Sequence, residues 1–121
     1  MRSSLVLLAE AALLGLLAAG CAPTPERPVD QGDRFTFRTA HTPYAAAICI
    51  ARNARGRAGT RAEERTVGDS STEVVVRASG GEALAVARVD NDGTFSKASV
   101  LVTQAVRAER EGFARQLMQG C

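Results

Sequence analysis

The sequence predicts a small α+β domain. Three observations carry that prediction. Between Glu73 and Val102, β-branched runs alternate with Gly-rich turns. Two other segments, one opened by Thr42-Pro43 and one running from about Val106, space their apolar residues at the helical period. The chain also has 121 residues, room for one compact unit with a leader and a linker.

The elements follow in chain order. Arg34-Phe35-Thr36-Phe37-Arg38 alternates aromatic and polar residues, so it reads as a short strand with Phe35 and Phe37 facing inward. Thr42 can cap a helix, and Pro43 suits its first position, where a missing N–H is harmless. That helix continues through Tyr44, Ala47, Ile48, Cys49, Ile50, Ala51 and Ala54, with Gly56 as its stop. Its small side chains allow a close approach to a sheet, and Arg52 and Arg55 suit the negative end of its dipole. From Arg55 to Asp69 the chain is polar, holds Gly56, Gly59 and Gly68, and shows no apolar period, so a loop is expected.

Glu73 to Ala78 is then a strand, Ser79-Gly80-Gly81-Glu82 a turn and Ala83 to Val89 the return strand. Asn91-Asp92-Gly93 is the next turn, and Phe95 to Val102 the last strand. Short connections make these three strands antiparallel neighbours. From Val106 onward, Val106, Phe113, Ala114 and Leu117 share a helical face, Gly112 weakens the middle and Gly120 is the stop. The expected order is β-α-β-β-β-α: a three-stranded antiparallel meander with both helices on one face and the Phe35 strand at its edge. The other face is left partly open, with Val75, Ala83, Ala85 and Ala87 on it, a natural docking surface.

With 4% aromatic residues and no tryptophan, the core must rest on Val, Leu, Ile and Ala. So small a core is marginal, and exported domains of this size often add a covalent staple. Formal net charge is +2, from 15 basic and 13 acidic residues, too balanced for a dedicated nucleic-acid binder. Within the polar connector, Arg55, Arg57, Arg61 and Arg65 form a candidate patch for an anionic partner such as lipid or lipopolysaccharide, with Glu63 and Glu64 opposing it.

The N-terminus carries the strongest single signal. Arg2 supplies a positive start, Leu5 to Leu17 an apolar run too short to span a bilayer comfortably, and small residues precede Cys21. Leu17-Ala18-Ala19-Gly20-Cys21 resembles the lipobox of bacterial lipoproteins, departing from it at Ala18, where leucine is usual, and in the charge of Glu10. The resemblance covers the signal alone. It implies a diacylglycerol on Cys21, cleavage before it and acylation of the new amino end, for instance with palmitate; Ala22 after the cysteine implies the outer membrane. The chain then divides into a signal peptide, 1–20, a lipidated Pro-rich tether, 21–33, and a folded domain, 34–121. With Cys21 acylated, Cys49 and Cys121 remain as a pair in an oxidising compartment, and their spacing lacks the C-x-x-C of redox pairs.

Chemistry-bearing motifs are sparse. Asp90-Asn91-Asp92-Gly93 opens like a calcium loop but lacks the later ligands, so a hairpin turn is expected. His41, the only histidine, precedes a helix cap; a catalytic base would need a nucleophile or an orienting acid beside it. Ser70, Ser71 and Thr72 read as a turn leading into a strand. No zinc spacing, phosphate loop, nucleophile elbow or dinucleotide glycine pattern is present, and no cofactor is expected. The expected function is a non-enzymatic lipoprotein, facing the periplasm from the outer membrane, that binds a protein or other envelope component. The alternative is an inhibitor or pilot that captures one exported protein.

Overall fold

A computed structural model describes residues 31–121; the expected signal peptide, 1–20, the expected lipidation site Cys21 and most of the expected tether lie outside the described residues. The elements are β1 (Gly32–Thr39), α1 (Pro43–Arg55), β2 (Thr60–Thr66), β3 (Ser71–Ala78), β4 (Ala83–Asp92), β5 (Phe95–Thr103) and α2 (Arg110–Met118). The strands form one fully antiparallel sheet in the order β1-β5-β4-β3-β2. The domain is α+β as expected, with five strands in the sheet instead of a three-stranded meander with a flanking strand. α1 carries the chain from one sheet edge to the other. Four strands then meander back until β5 pairs with β1.

Helix α1 forms for the reasons its sequence shows. Thr42 Oγ1 accepts from the Ala45 amide at 3.2 Å, and Pro43 opens the first turn. Ala46, Ala47, Ile50, Ala51 and Ala54 are fully buried against the sheet, where small side chains let the helix lie close. α1 packs on β2, β3 and β4, and α2 packs on β5 and β1 and beside α1. Together they cover one sheet face, the one bearing Val74, Val76, Ala85, Ala87, Val89, Ala98, Val100 and Val102. Phe35 and Phe37 lie opposite Val100 and Ala98 and reach the same core.

The connector expected to be a loop contains β2. Its odd residues, Arg61, Glu63 and Arg65, and its even ones, Ala62, Glu64 and Thr66, are nearly all polar, so no alternation of hydropathy marks it. It is an edge strand, and only Ala62, opposite Val76, reaches the core. Charged side chains along such an edge guard it against pairing with other chains.

Two further expectations are corrected. A register shift between Val76 and Arg77 pairs Val76 with Ala85 but Arg77 with Ala83. This bulge turns Leu84 toward the core and puts Ala83 on the open face. Val75 and Ala83 do lie on the open face, but Ala85 and Ala87 are fully buried beneath α1. The second helix begins at Arg110, not near Val106. Val106 instead donates its amide to the Thr103 carbonyl at 3.1 Å and packs against the core, and Glu109, at φ 54°, breaks the helical path before Arg110. Among the described residues, no helix is long and apolar enough to cross a membrane.

Candidate functional site

The uncovered sheet face is the candidate site. Because directly opposed residues of paired strands share a face, the registers assemble it in rows. The central row runs Glu63, Val75, Val86, Leu101, Arg34. Beside it runs Arg65, Glu73, Arg88, Ser99, Thr36, and beyond that Ser71, Asp90, Lys97, Arg38. On the other side, Arg61 and Arg77 stand opposite each other. The centre is therefore an apolar strip of Val75, Val86 and Leu101, ringed by guanidinium groups. A hollow of about 620 Å³ lies over it, lined among others by Arg34, Arg65, Arg77 and Arg88.

Although no element among the described residues covers this strip, Val75 is only 4% exposed and Leu101 7%. Arg34, Arg65, Arg77 and Arg88 line the same hollow, and arginine stems characteristically lie along apolar surface while their charged heads stay in water. Each carboxylate of these rows is matched. Glu73 takes Arg65, Asp90 accepts from Arg88 Nε at 3.1 Å and from the Ser71 hydroxyl, and Glu63 meets Arg77 at 3.9 Å. The Ser71 hydroxyl, then Arg88 and Lys97, hold the Asp90 carboxyl below its ordinary range against a smaller opposing effect of burial. Arg34 donates to Ser99 Oγ at 3.0 Å and makes no ion pair among the described residues, while Arg38 stacks over Phe95 at 4.6 Å. The face thus offers the half-buried Val86 at its centre and planar donor forks around it, a combination suited to a partner carrying carboxylate or phosphate groups.

The structure distributes the four arginines expected as one patch. Arg55 pairs with Glu64 and donates to the Ala62 carbonyl; Arg57 donates to the Gln116 side chain and stacks on Phe113 at 4.7 Å. Both belong to the helix side. Arg61 and Arg65 belong to the open face, and Arg65 is engaged by Glu73. The signal for this candidate site was available only through register, since its members come from all five strands.

Cys49 and Cys121 are brought together, with sulfurs 2.09 Å and Cα atoms 5.7 Å apart. Polar contacts hold the same corner. Asn53 Nδ2 donates to the Leu117 and Gln119 carbonyls, each at 2.8 Å, meeting acceptors left open at the end of α2. The Thr39 hydroxyl donates to the Cys121 carbonyl and accepts from the His41 amide. No motif in the sequence around Asn53 marks this role. His41 lies in the β1–α1 connection, where its carbonyl accepts from Ser96 Oγ at 2.7 Å. Asp90, Asn91 and Asp92 are the end of β4, joined to β5 through Gly93 at φ 69° and Thr94. Among the described residues, no group of three or more His, Cys, Asp or Glu is placed to hold a metal ion.

Compared with protein-family models, curated proteins and solved structures, the chain matches none.

Proposed function

We propose that this chain is an outer-membrane lipoprotein, held through an acylated Cys21, whose periplasm-facing domain is a non-enzymatic binding module. The observation that supports it best is the open sheet face. Val75, Val86 and Leu101 lie under a ring of arginines on a surface that neither helix covers. The lipobox-like end of the signal supplies the location, and the Cys49–Cys121 pair suits an oxidising compartment.

The partner in this reading is an envelope component that presents acidic groups around an apolar contact. A photoreactive residue placed at Val86 or Ser99 in the full-length protein, irradiated in intact envelopes, is expected to give discrete adducts. The same residue at Arg115, exposed on α2, is expected to give none. Adducts from Arg115 alone would refute the face as the binding surface. A single stoichiometric protein adduct from the face would narrow the reading to capture of one exported protein, the inhibitor or pilot alternative.

A further inference from the structure

We propose that the Gly32 end of the domain docks against the phosphate headgroups of the leaflet that anchors the chain. This rests on the lipoprotein reading and adds an orientation to it. Residues 22–31 connect Cys21 to the start of β1 and span at most about 35 Å when fully extended. The Gly32 end is therefore the one point of the domain that cannot lie more than about 35 Å from the acylated residue.

That same end gathers arginines from four separate segments. Register places Gly32 beside Thr103 and Thr60 beside Ala78, so β1, β2 and the β3–β4 turn share this end with the chain leaving β5. Arg107 lines a hollow with Asp33 and Arg34. The Ser79 amide donates to the Gly59 carbonyl at 2.8 Å, tying the turn that carries Arg57 to the β3–β4 turn, and the Arg61 guanidinium lies beside Gly81. Arg34, Arg57, Arg61 and Arg107 are all exposed, and none makes an ion pair among the described residues. The carboxylates here are mostly engaged: Asp33 by Arg110 at 3.2 Å, Glu64 by Arg55 at 3.1 Å and Glu63 by Arg77. Glu82 and Glu109 are the exceptions, and they are fewer than the four arginines.

The Thr39 end differs. Asp69 in the β2–β3 turn and Asp92 at the end of β4 offset Arg38 and Lys97 there. An anionic surface therefore attracts one end more than the other. The attraction acts within a Debye length of about 8 Å, a separation the short tether allows. An acidic protein could meet the same arginines, but the tether favours the membrane by holding this end at high effective concentration beside it. Docked this way, the domain stands on its Gly32 end with the open sheet face directed sideways, accessible to a partner.

The test uses the natively processed protein, with its mass measured first, in nanodiscs of phosphatidylcholine mixed with phosphatidylglycerol and a trace of headgroup-nitroxide lipid. Amides of Gly59, Gly80 and Ala105 are expected to broaden strongly and those of Gly68 and Gly93 hardly at all. Each arginine near an anionic surface contributes about fivefold to partitioning. R61Q combined with R107Q is thus expected to lower the docked-to-undocked ratio about 25-fold, and the broadening with it. R38Q combined with K97Q, the same charge change at the other end, is expected to leave the pattern intact. Unchanged amide shifts at Gly68 and Gly93 certify that each variant is folded. An acylated protein that broadens equally at both ends, or whose broadening survives the R61Q and R107Q changes, overturns the docking and leaves the lipoprotein reading standing. A mature protein without acyl chains overturns both.

Discussion

Replacing both Cys49 and Cys121 with alanine tests how far this small core depends on its cross-link. The two residues are 72 apart in sequence. Closing a loop of that length removes unfolded-state entropy worth about 4 kcal/mol at 25 °C. The folded corner should survive the change, because the Asn53 hydrogen bonds to the Leu117 and Gln119 carbonyls and the Thr39 bond to the Cys121 carbonyl do not need the sulfurs. The loss therefore enters through the unfolded chain. Domains of this size have about 5–15 kcal/mol in total, so the bridge is a large share. At about 4–8 °C per kcal/mol, Tm is expected to fall by about 15–30 °C. Urea unfolding should show a lower midpoint and a steeper slope, since the unlinked chain exposes more surface when it unfolds. A Tm within a few degrees of the parent with an unchanged slope would refute the reasoning. So would two alkylatable thiols in protein purified from an oxidising envelope.

Three smaller perturbations follow from particular contacts. Gly32→Ala is expected to destabilise by about 2–4 kcal/mol, because φ is 151° and an added Cβ would stand 2.0 Å from the Val102 carbonyl oxygen; equilibrium unfolding reads this, and a loss under 1 kcal/mol would show that β1 can shift freely along β5. Asn53→Ala leaves two carbonyls at the end of α2 without their donor and is expected to cost about 1–3 kcal/mol, with faster hydrogen exchange in α2 but not in β3. Asp90 is held ionised by Ser71 and Arg88, so its folded-state pKa lies below 3.8. Its contribution is then fully present above the unfolded-state value and is lost as pH falls through the lower folded one. Asp90→Asn is expected to flatten that part of the acid limb of stability, and an acid limb identical to the parent's would contradict the assignment.

Legibility in the sequence varied by element for physical reasons. α1 was readable because a cap, a proline and a run of small residues all point to the same turn of chain. β3 and β5 were readable from their β-branched and alternating residues. β2 was not, because an edge strand with charged residues on both sides carries no apolar period, and its existence depends on hydrogen bonds to β3. The open face was half legible. Val75 and Ala83 follow simple alternation, and Leu84 faces the core as alternation places it, but the bulge at Val76/Arg77 resets the count beyond Leu84, turning Ala85 and Ala87 inward and Val86 outward. The meeting of Cys49 and Cys121 was anticipated by cysteine arithmetic, whereas the arginine patch was not, since neighbours in sequence on β2 and its approach point to different sides.

The pairing of β1 with β5 has a consequence for how the domain is made. The first strand to emerge finds its hydrogen-bonding partner only after β2, β3 and β4 have been delivered. Until then the Phe35–Phe37 strand has no neighbour, and α1 has only part of the surface it will cover. Contacts this distant in sequence slow folding. Under the proposed lipoprotein reading, the chain would cross its membrane without a completed sheet to resist translocation, and become compact only once nearly all of it had arrived.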